Sequence, residues 1–228
     1  TPLLIRSIRG KFKQSHYDVV PVASLIADPA VIAVKADSIY PDWYSLVSGL
    51  EITSKRVAIG GGSVRGSLDH IALALLLKAA SINPRNVQYI PYDGGGKALL
   101  GLLSSETQVL VSGLGESIAQ HKAGTIRIIG ISSAKRIKEI PEIPTFNEMG
   151  VDVIFSNWRG LFASKSLSFD HIEGHRQSIK KIVNTNEWQS KLNRYGWEPF
   201  YLNGDEFKNF LAKQETVLRK TLLELKLI

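Results

Sequence analysis

Ile59-Gly60-Gly61-Gly62-Ser63 and Ile90-Pro91-Tyr92-Asp93-Gly94-Gly95-Gly96-Lys97 are the two stretches on which the reading of this chain turns. In each, a short β-branched or aromatic run ends at three consecutive glycines, and an apolar helical pattern follows. A third run ends more weakly, at Ser112-Gly113-Leu114-Gly115. In an open parallel sheet, the loops leaving the carboxyl ends of the strands face the crevice where ligands bind. Glycine lets the backbone approach a ligand closely, and a helix N-terminus presents free N–H groups with a positive partial charge. Two such loops suit a carboxylate or a phosphate, with Arg65 and Lys97 adding formal positive charge. A single glycine loop after a strand is usually a turn and nothing more. The repetition is what points to a ligand.

Around these loops, strand-like runs alternate with helical ones. Strands are expected at residues 29–34, 56–59, 87–90, 108–111 and 127–131, and helices at 41–50, 67–80, 97–103 and 116–121. That spacing indicates βαβ units and an α/β fold with a mostly parallel sheet. Ile140-Pro141-Glu142-Ile143-Pro144-Thr145 is an extended connector, because each proline fixes φ and removes a donor. Strands are expected again at 151–155 and 160–163, and the pattern is helical from Phe169 onward. A last helix at 205–225 carries Phe207, Phe210, Leu211, Val217, Leu218 and Leu222 on one stripe.

Composition closes off several classes. The chain has 228 residues, no cysteine and one methionine, so disulfides, thiolate metal sites and a cysteine nucleophile are excluded. No apolar stretch is long enough to span a bilayer, and residues 1–6 lack the layout of a signal peptide. The net charge is +7, yet the 28 Lys and Arg are dispersed, which favours a solvated basic surface over a nucleic-acid groove. No Gly-x-Gly-x-x-Gly runs through either loop, and Ala98 follows Lys97 where a P-loop needs Ser or Thr. Gly-x-Ser-x-Gly is absent, and Ser63 and Ser67 have no evident histidine-acid partners. His171 and His175 lie one helical turn apart without a third ligand, which leaves them as a solvated face and no metal site. His70, beside Asp69 in the first turn after the first loop, has two readings: a polar cap contact or a ligand contact. Trp158 is a core tryptophan at a strand start or a hinge element.

Five stretches, taken in order, resemble a known family. They are Gly61-Gly62-Ser63-Val64-Arg65-Gly66-Ser67-Leu68-Asp69-His70, Tyr89-Ile90-Pro91-Tyr92-Asp93-Gly94-Gly95-Gly96-Lys97-Ala98, residues 123–127 running into Ser132-Ser133-Ala134-Lys135-Arg136, Ile143-Pro144-Thr145-Phe146-Asn147-Glu148-Met149-Gly150, and Asn157-Trp158-Arg159-Gly160-Leu161-Phe162-Ala163. From about Asp18 onward, their order and spacing resemble the substrate-binding proteins of tripartite tricarboxylate transporters, the TctC or Bug receptors. The resemblance implies a type II periplasmic-binding-protein fold of two hinged α/β lobes that close on a small ligand. It implies no catalysis and no cofactor, an extracytoplasmic location, and delivery of the ligand to membrane permease subunits. The ligand would be a di- or tricarboxylate or an amino acid.

Carried over position by position, the resemblance places ligand contacts at Gly62, Ser63, Gly66, Ser67, Tyr92, Gly94, Gly95 and Gly96; His70 in the turn after the first loop and Ser112 at the end of the third strand join them as candidate ligand contacts from the reading of the residues themselves. The resemblance also assigns residues 37–155 to the second lobe, and residues 1–36 with 156–228 to a partial first lobe. The family's N-terminal segment, with the first strand of lobe one and its Gly-Gly loop, has no counterpart here. The expectation is therefore an incomplete lobe, self-association through its uncovered edge, weakened ligand affinity, and an export signal outside this sequence. The rival from another class is a cytosolic ligand-sensing domain of a transcription regulator with the same fold. An acyl or phosphoryl transferase using the glycine loops is the third reading.

Overall fold

The computed structural model describes residues 1–53 and 56–228. The chain divides into two compact units, one formed by residues 28–157 and the other by residues 1–27 with 158–228. The strand β1 (Val19–Lys35), which follows the short helix α1 (Pro2–Ile8), contributes residues to both.

In the unit of residues 28–157, elements alternate along the chain: α2 (Trp43–Thr53), β2 (Ala58–Gly61), α3 (Leu68–Ala79), β3 (Gln88–Pro91), α4 (Gly95–Leu103), β4 (Val109–Gly113), α5 (Leu114–Lys122) and β5 (Ile126–Ile131). The strand order is β3-β2-β4-β1-β5. β2 pairs in parallel with β3 and with β4, whereas β1 runs antiparallel to both β4 and β5. Four of these five strands therefore share one direction, with β1 inserted against them. The mostly parallel sheet expected from βαβ spacing is present, and β1 is its exception.

β1 and β4 are buried almost throughout, as strands covered on both faces must be. Val31 and Ala33 pack with Leu110, Ala98 and Leu102 of α4, and Leu114 and Ile118 of α5. Side chains alternate along a strand, so Ile32 and Val34 point to the opposite face. Ile71, Leu76 and Leu77 of α3 are fully buried, and each contributes about 1.5–3 kcal/mol through removal from water.

In the other unit, β6 (Ser156–Ser164) and β7 (Glu198–Pro199) pair with β1, and α6 (Phe169–Ile182), α7 (Asn186–Tyr195) and α8 (Gly204–Glu224) follow. The helices start where side-chain caps dictate: Ser168, Thr185 and Asn203 each accept a backbone N–H of the first turn. Trp158 is a core residue, packed edge-on against Phe207 at 5.4 Å and Phe210 at 5.6 Å. On α8, Phe207, Leu211, Leu218 and Leu222 are buried, but Val217 is 51% exposed and leaves the expected stripe.

Three expectations are corrected. Residues 28–36 belong with 37–157, because Ala30–Val34 form ladder pairs with β4 and residues 31–35 with β5. The expected boundary at 36/37 cuts through that ladder. Strand β1 begins at Val19, ten residues before the expected run, despite Pro21 and Pro29. Residues 151–155 are not a strand: Val151 and Val153 bond locally, to Phe146 O and Val151 O, and only Phe155 reaches Ser132 and Ala30.

Candidate functional site

The two triple-glycine loops meet in the unit of residues 28–157. Gly61 O accepts the Tyr92 N–H at 2.8 Å, and Gly62 O accepts the Gly94 N–H at 3.1 Å. A Cβ on Gly62 would fall 2.5 Å from Gly94 C, so the loops pack backbone against backbone. A Cβ on Gly61 would strike the Tyr89 ring, and one on Gly95 would overlap the Glu116 carboxylate. These three glycines are required by close approach within the protein. Gly94 differs: it holds φ at +104°, a backbone region that side chains rarely adopt, and it faces open space, as does Gly96. Because the N-cap of α4 is Gly94, no side chain caps its first turn. That turn therefore offers N–H groups and a positive partial charge.

At α3 the entry is arranged otherwise. Ser67 is the N-cap without a side-chain cap bond. Ser63, six residues before Asp69, accepts the Asp69 N–H through Oγ at 3.0 Å. The Gly66 N–H donates to His70 Nδ1 at 3.0 Å, and the His70 ring lies 4.8 Å from that of Tyr89. The Tyr89 hydroxyl donates to Ser63 O at 2.6 Å, tying the loop to β3.

Three carboxylates border these donors. Asp69 lies beside Gly62 and Ser63, both of which act to lower its carboxyl pKa. Glu116 accepts the Ser112 hydroxyl hydrogen at 2.6 Å. The buried Asp28 accepts the Gly115 N–H at 3.0 Å. Burial, then the charge of Glu116 and more weakly that of Asp28, pushes the Asp69 carboxyl up to about 7 against the lowering influence of Ser63 and Gly62. The basic residues are turned elsewhere. Arg65 donates to Tyr89 O at 2.5 Å, and Lys97 pairs with Asp93 at 3.4 Å.

Of the residues expected at a site, Gly62, Ser63, Gly94 and Gly95 lie together, with Ser112 linked to them through Glu116 over Gly95. Gly96 is exposed at the start of α4. Ser67 opens α3, while Gly66 and His70 bond to each other within the loop. Tyr92 is directed into the core: its ring packs against the α4–α5 cluster and lies where a Cβ on Gly60 or Gly101 would sit. Asp69, Glu116 and Asp28 were not singled out as site residues. Asp69 and Glu116 in the first turns of their helices were the available signal, since acidic residues there face the N–H groups. His171 Nδ1 bonds to Ser168 Oγ at 2.8 Å, and the described residues contain no group of three or more potential metal ligands. No helix among them is long and apolar enough to cross a membrane.

The family model for the tripartite tricarboxylate transporter family receptor matches residues 10–226. A protein encoded between tcbD and tcbE in Pseudomonas sp. (strain P51) is 26% identical over 174 residues, which is 75% of this chain and 50% of that one. A TctC solute binding protein from Polaromonas superposes with a TM-score of 0.79 at 25% identity, over 98% of this chain and 76% of that chain. MatC from Rhodopseudomonas palustris, solved with bound malate, shares the fold with a TM-score of 0.81 at 15% identity, over 97% of this chain and 76% of that chain. The chain thus spans half the length of its Pseudomonas relative. With the family model covering all but its first nine and last two residues, the chain belongs to the tripartite tricarboxylate transporter family receptors.

Proposed function

We propose that this chain is the ligand-capturing part of an extracytoplasmic receptor that binds a small carboxylate and passes it to membrane permease subunits without chemically altering it. The observation that carries the reading is the single glycine surface made where Gly62 packs on Gly94 and Gly95, beside the uncapped first turn of α4. A carboxylate there would accept from the N–H groups of residues 95–97 and gain from the helix dipole, worth about 0.3–1 kcal/mol at an exposed terminus. The same fold in MatC holds malate, which supports a carboxylate as the ligand class.

The acidic side chains narrow that class. With Asp69, Glu116 and Asp28 bordering the donors, a trianion would meet repulsion that a monoanion or a zwitterionic amino acid avoids. Glutamate and benzoate are therefore expected to bind more tightly than citrate. The test is a titration of the 15N-labelled chain with citrate, malate, glutamate and benzoate, followed by NMR at the amides of residues 62–63 and 94–97. Saturable shifts at both loops support the reading. If none of the four acids moves these amides at millimolar concentration, the reading is wrong.

A further inference from the structure

Neither basic side chain of the two loops is turned toward the glycine surface. Arg65 donates to Tyr89 O and lies over the Tyr89 ring, and Lys97 is paired with Asp93. What reaches the first turn of α4 is an acid. The Glu116 side chain, exposed at the start of α5, lies so close over Gly95 that a Cβ there would overlap both carboxylate oxygens. The Ser112 hydroxyl donates to Glu116 Oε2 at 2.6 Å and fixes the orientation of the group, while Oε1 has no hydrogen-bond donor among the described residues. We propose that Glu116 reads a cation carried by the ligand: the site takes an α-amino acid, whose carboxylate meets the N–H groups of residues 95–97 while its ammonium donates to Glu116 Oε1. This rests on the proposed ligand reading of the two loops and names the class of acid within it.

The physical reason is the balance of two forces on a ligand carboxylate. The helix end attracts it, but a fixed carboxylate in contact with the same turn repels it. At contact range, repulsion between like charges near a protein surface exceeds the attraction of one exposed helix end. A plain carboxylate therefore gains little there. In an α-amino acid the ammonium lies one carbon from the carboxylate, so each ligand charge faces its opposite on the protein, and the ammonium bond is charge-assisted. A metal ion bridging the ligand and Glu116 would also cancel the repulsion, but no three potential metal ligands come together among the described residues.

Of the three acids near the loops, Glu116 is the one placed to touch a ligand. Asp28 is buried, accepts the Gly115 N–H at 3.0 Å and lies against Gly113, so its carboxylate is committed within the protein. Burial favours the uncharged form of Asp69. Glu116 alone is both exposed and in contact with the turn that would hold the ligand. Ser112, expected from the sequence as a ligand contact, acts in this arrangement as a positioning residue, because its hydroxyl aims the Glu116 carboxylate.

The experiment is an NMR titration of the full chain at about pH 7, where carboxyls are ionised and amines protonated. The probes are pairs of acids that differ only in the ammonium: L-alanine and propionate, L-glutamate and glutarate, L-phenylalanine and 3-phenylpropionate. For the unmodified chain, the amino acid of at least one pair is expected to bind about ten- to a hundredfold more tightly than its partner, the range for a hydrogen bond to a charged group. For Glu116→Gln that ratio is expected to fall to about one. Saturable loop shifts with no amino-acid preference in any pair, or an undiminished preference in the variant, overturn the role of Glu116 while leaving the ligand reading standing. Absence of shifts at the amides of residues 62–63 and 94–97 with every acid overturns the ligand reading, and the proposal falls with it. Glu116→Gln keeps the size of the side chain and an oxygen for the Ser112 hydroxyl. Should it not fold, Ser112→Ala unties the carboxylate instead, and a preference that does not fall in that variant overturns the proposal.

Discussion

Ser63 and Asp69 are joined across the start of α3: the Ser63 hydroxyl oxygen accepts the Asp69 N–H at 3.0 Å. This pair replaces an ordinary N-cap at α3, whose N-cap Ser67 makes no side-chain bond to the helix. Ser63→Ala removes this contact and leaves the Asp69 N–H unpaired. A loss of about 1–3 kcal/mol is expected, measured by denaturant unfolding.

The same pair sets a pH dependence. The Asp69 carboxyl lies at about 7 in the folded chain against 3.8 for the ordinary group, so folding favours the protonated form. Its stabilising contribution is complete below the unfolded value and is lost as pH rises through the folded one. Asp69→Asn should therefore gain in melting temperature relative to the unmodified chain from about pH 4 to about pH 7, and the difference should level off above that range. Melting curves of both proteins across the range check the sign. A difference that shrinks with rising pH would contradict it.

Gly62 and Gly96 separate structure from function within the glycine loops. Gly62→Ala would place Cβ 2.5 Å from Gly94 C, on backbone that has no room to yield. A loss of about 1–3 kcal/mol is expected from overpacking, read as a lower unfolding midpoint.

Gly96 faces open space in the first turn of α4, where an acidic side chain complements the dipole. Gly96→Asp should leave the fold intact, with a gain of about 0.3–1 kcal/mol. It should also abolish carboxylate binding, because the new side chain occupies the uncapped N–H groups. Unchanged binding in a stably folded variant would argue against this helix end as the site.

In the other unit, Trp158 fills the space between Phe207 and Phe210. Trp158→Ala should cost about 3–5 kcal/mol, the range for truncating a buried large aromatic, as measured by thermal or denaturant unfolding.

Much of the fold was legible because its signals are local. Gly94 at the start of α4, Asn203 before α8 and the buried run of β4 each act through neighbours a few residues away. What misled was equally specific. Residues 151–155 carry the β-branched composition of a strand, but a strand also needs a partner, and only Phe155 finds one. The early half of β1 was obscured by Pro21, which weighs against a strand until its pairing is known.

The amino-acid sequence by itself determined the alternation of strands and helices, the two glycine loops and the family, since helix caps, side-chain periodicity and motif spacing are written in consecutive residues. The tertiary structure alone decided that β1 enters the sheet antiparallel and that Tyr92 turns into the core. It also brought Asp28 and Glu116, distant along the chain, close enough to Asp69 for their charges to raise its carboxyl pKa. Strand pairing and electrostatic coupling depend on distance in space, and only the packed chain sets that distance.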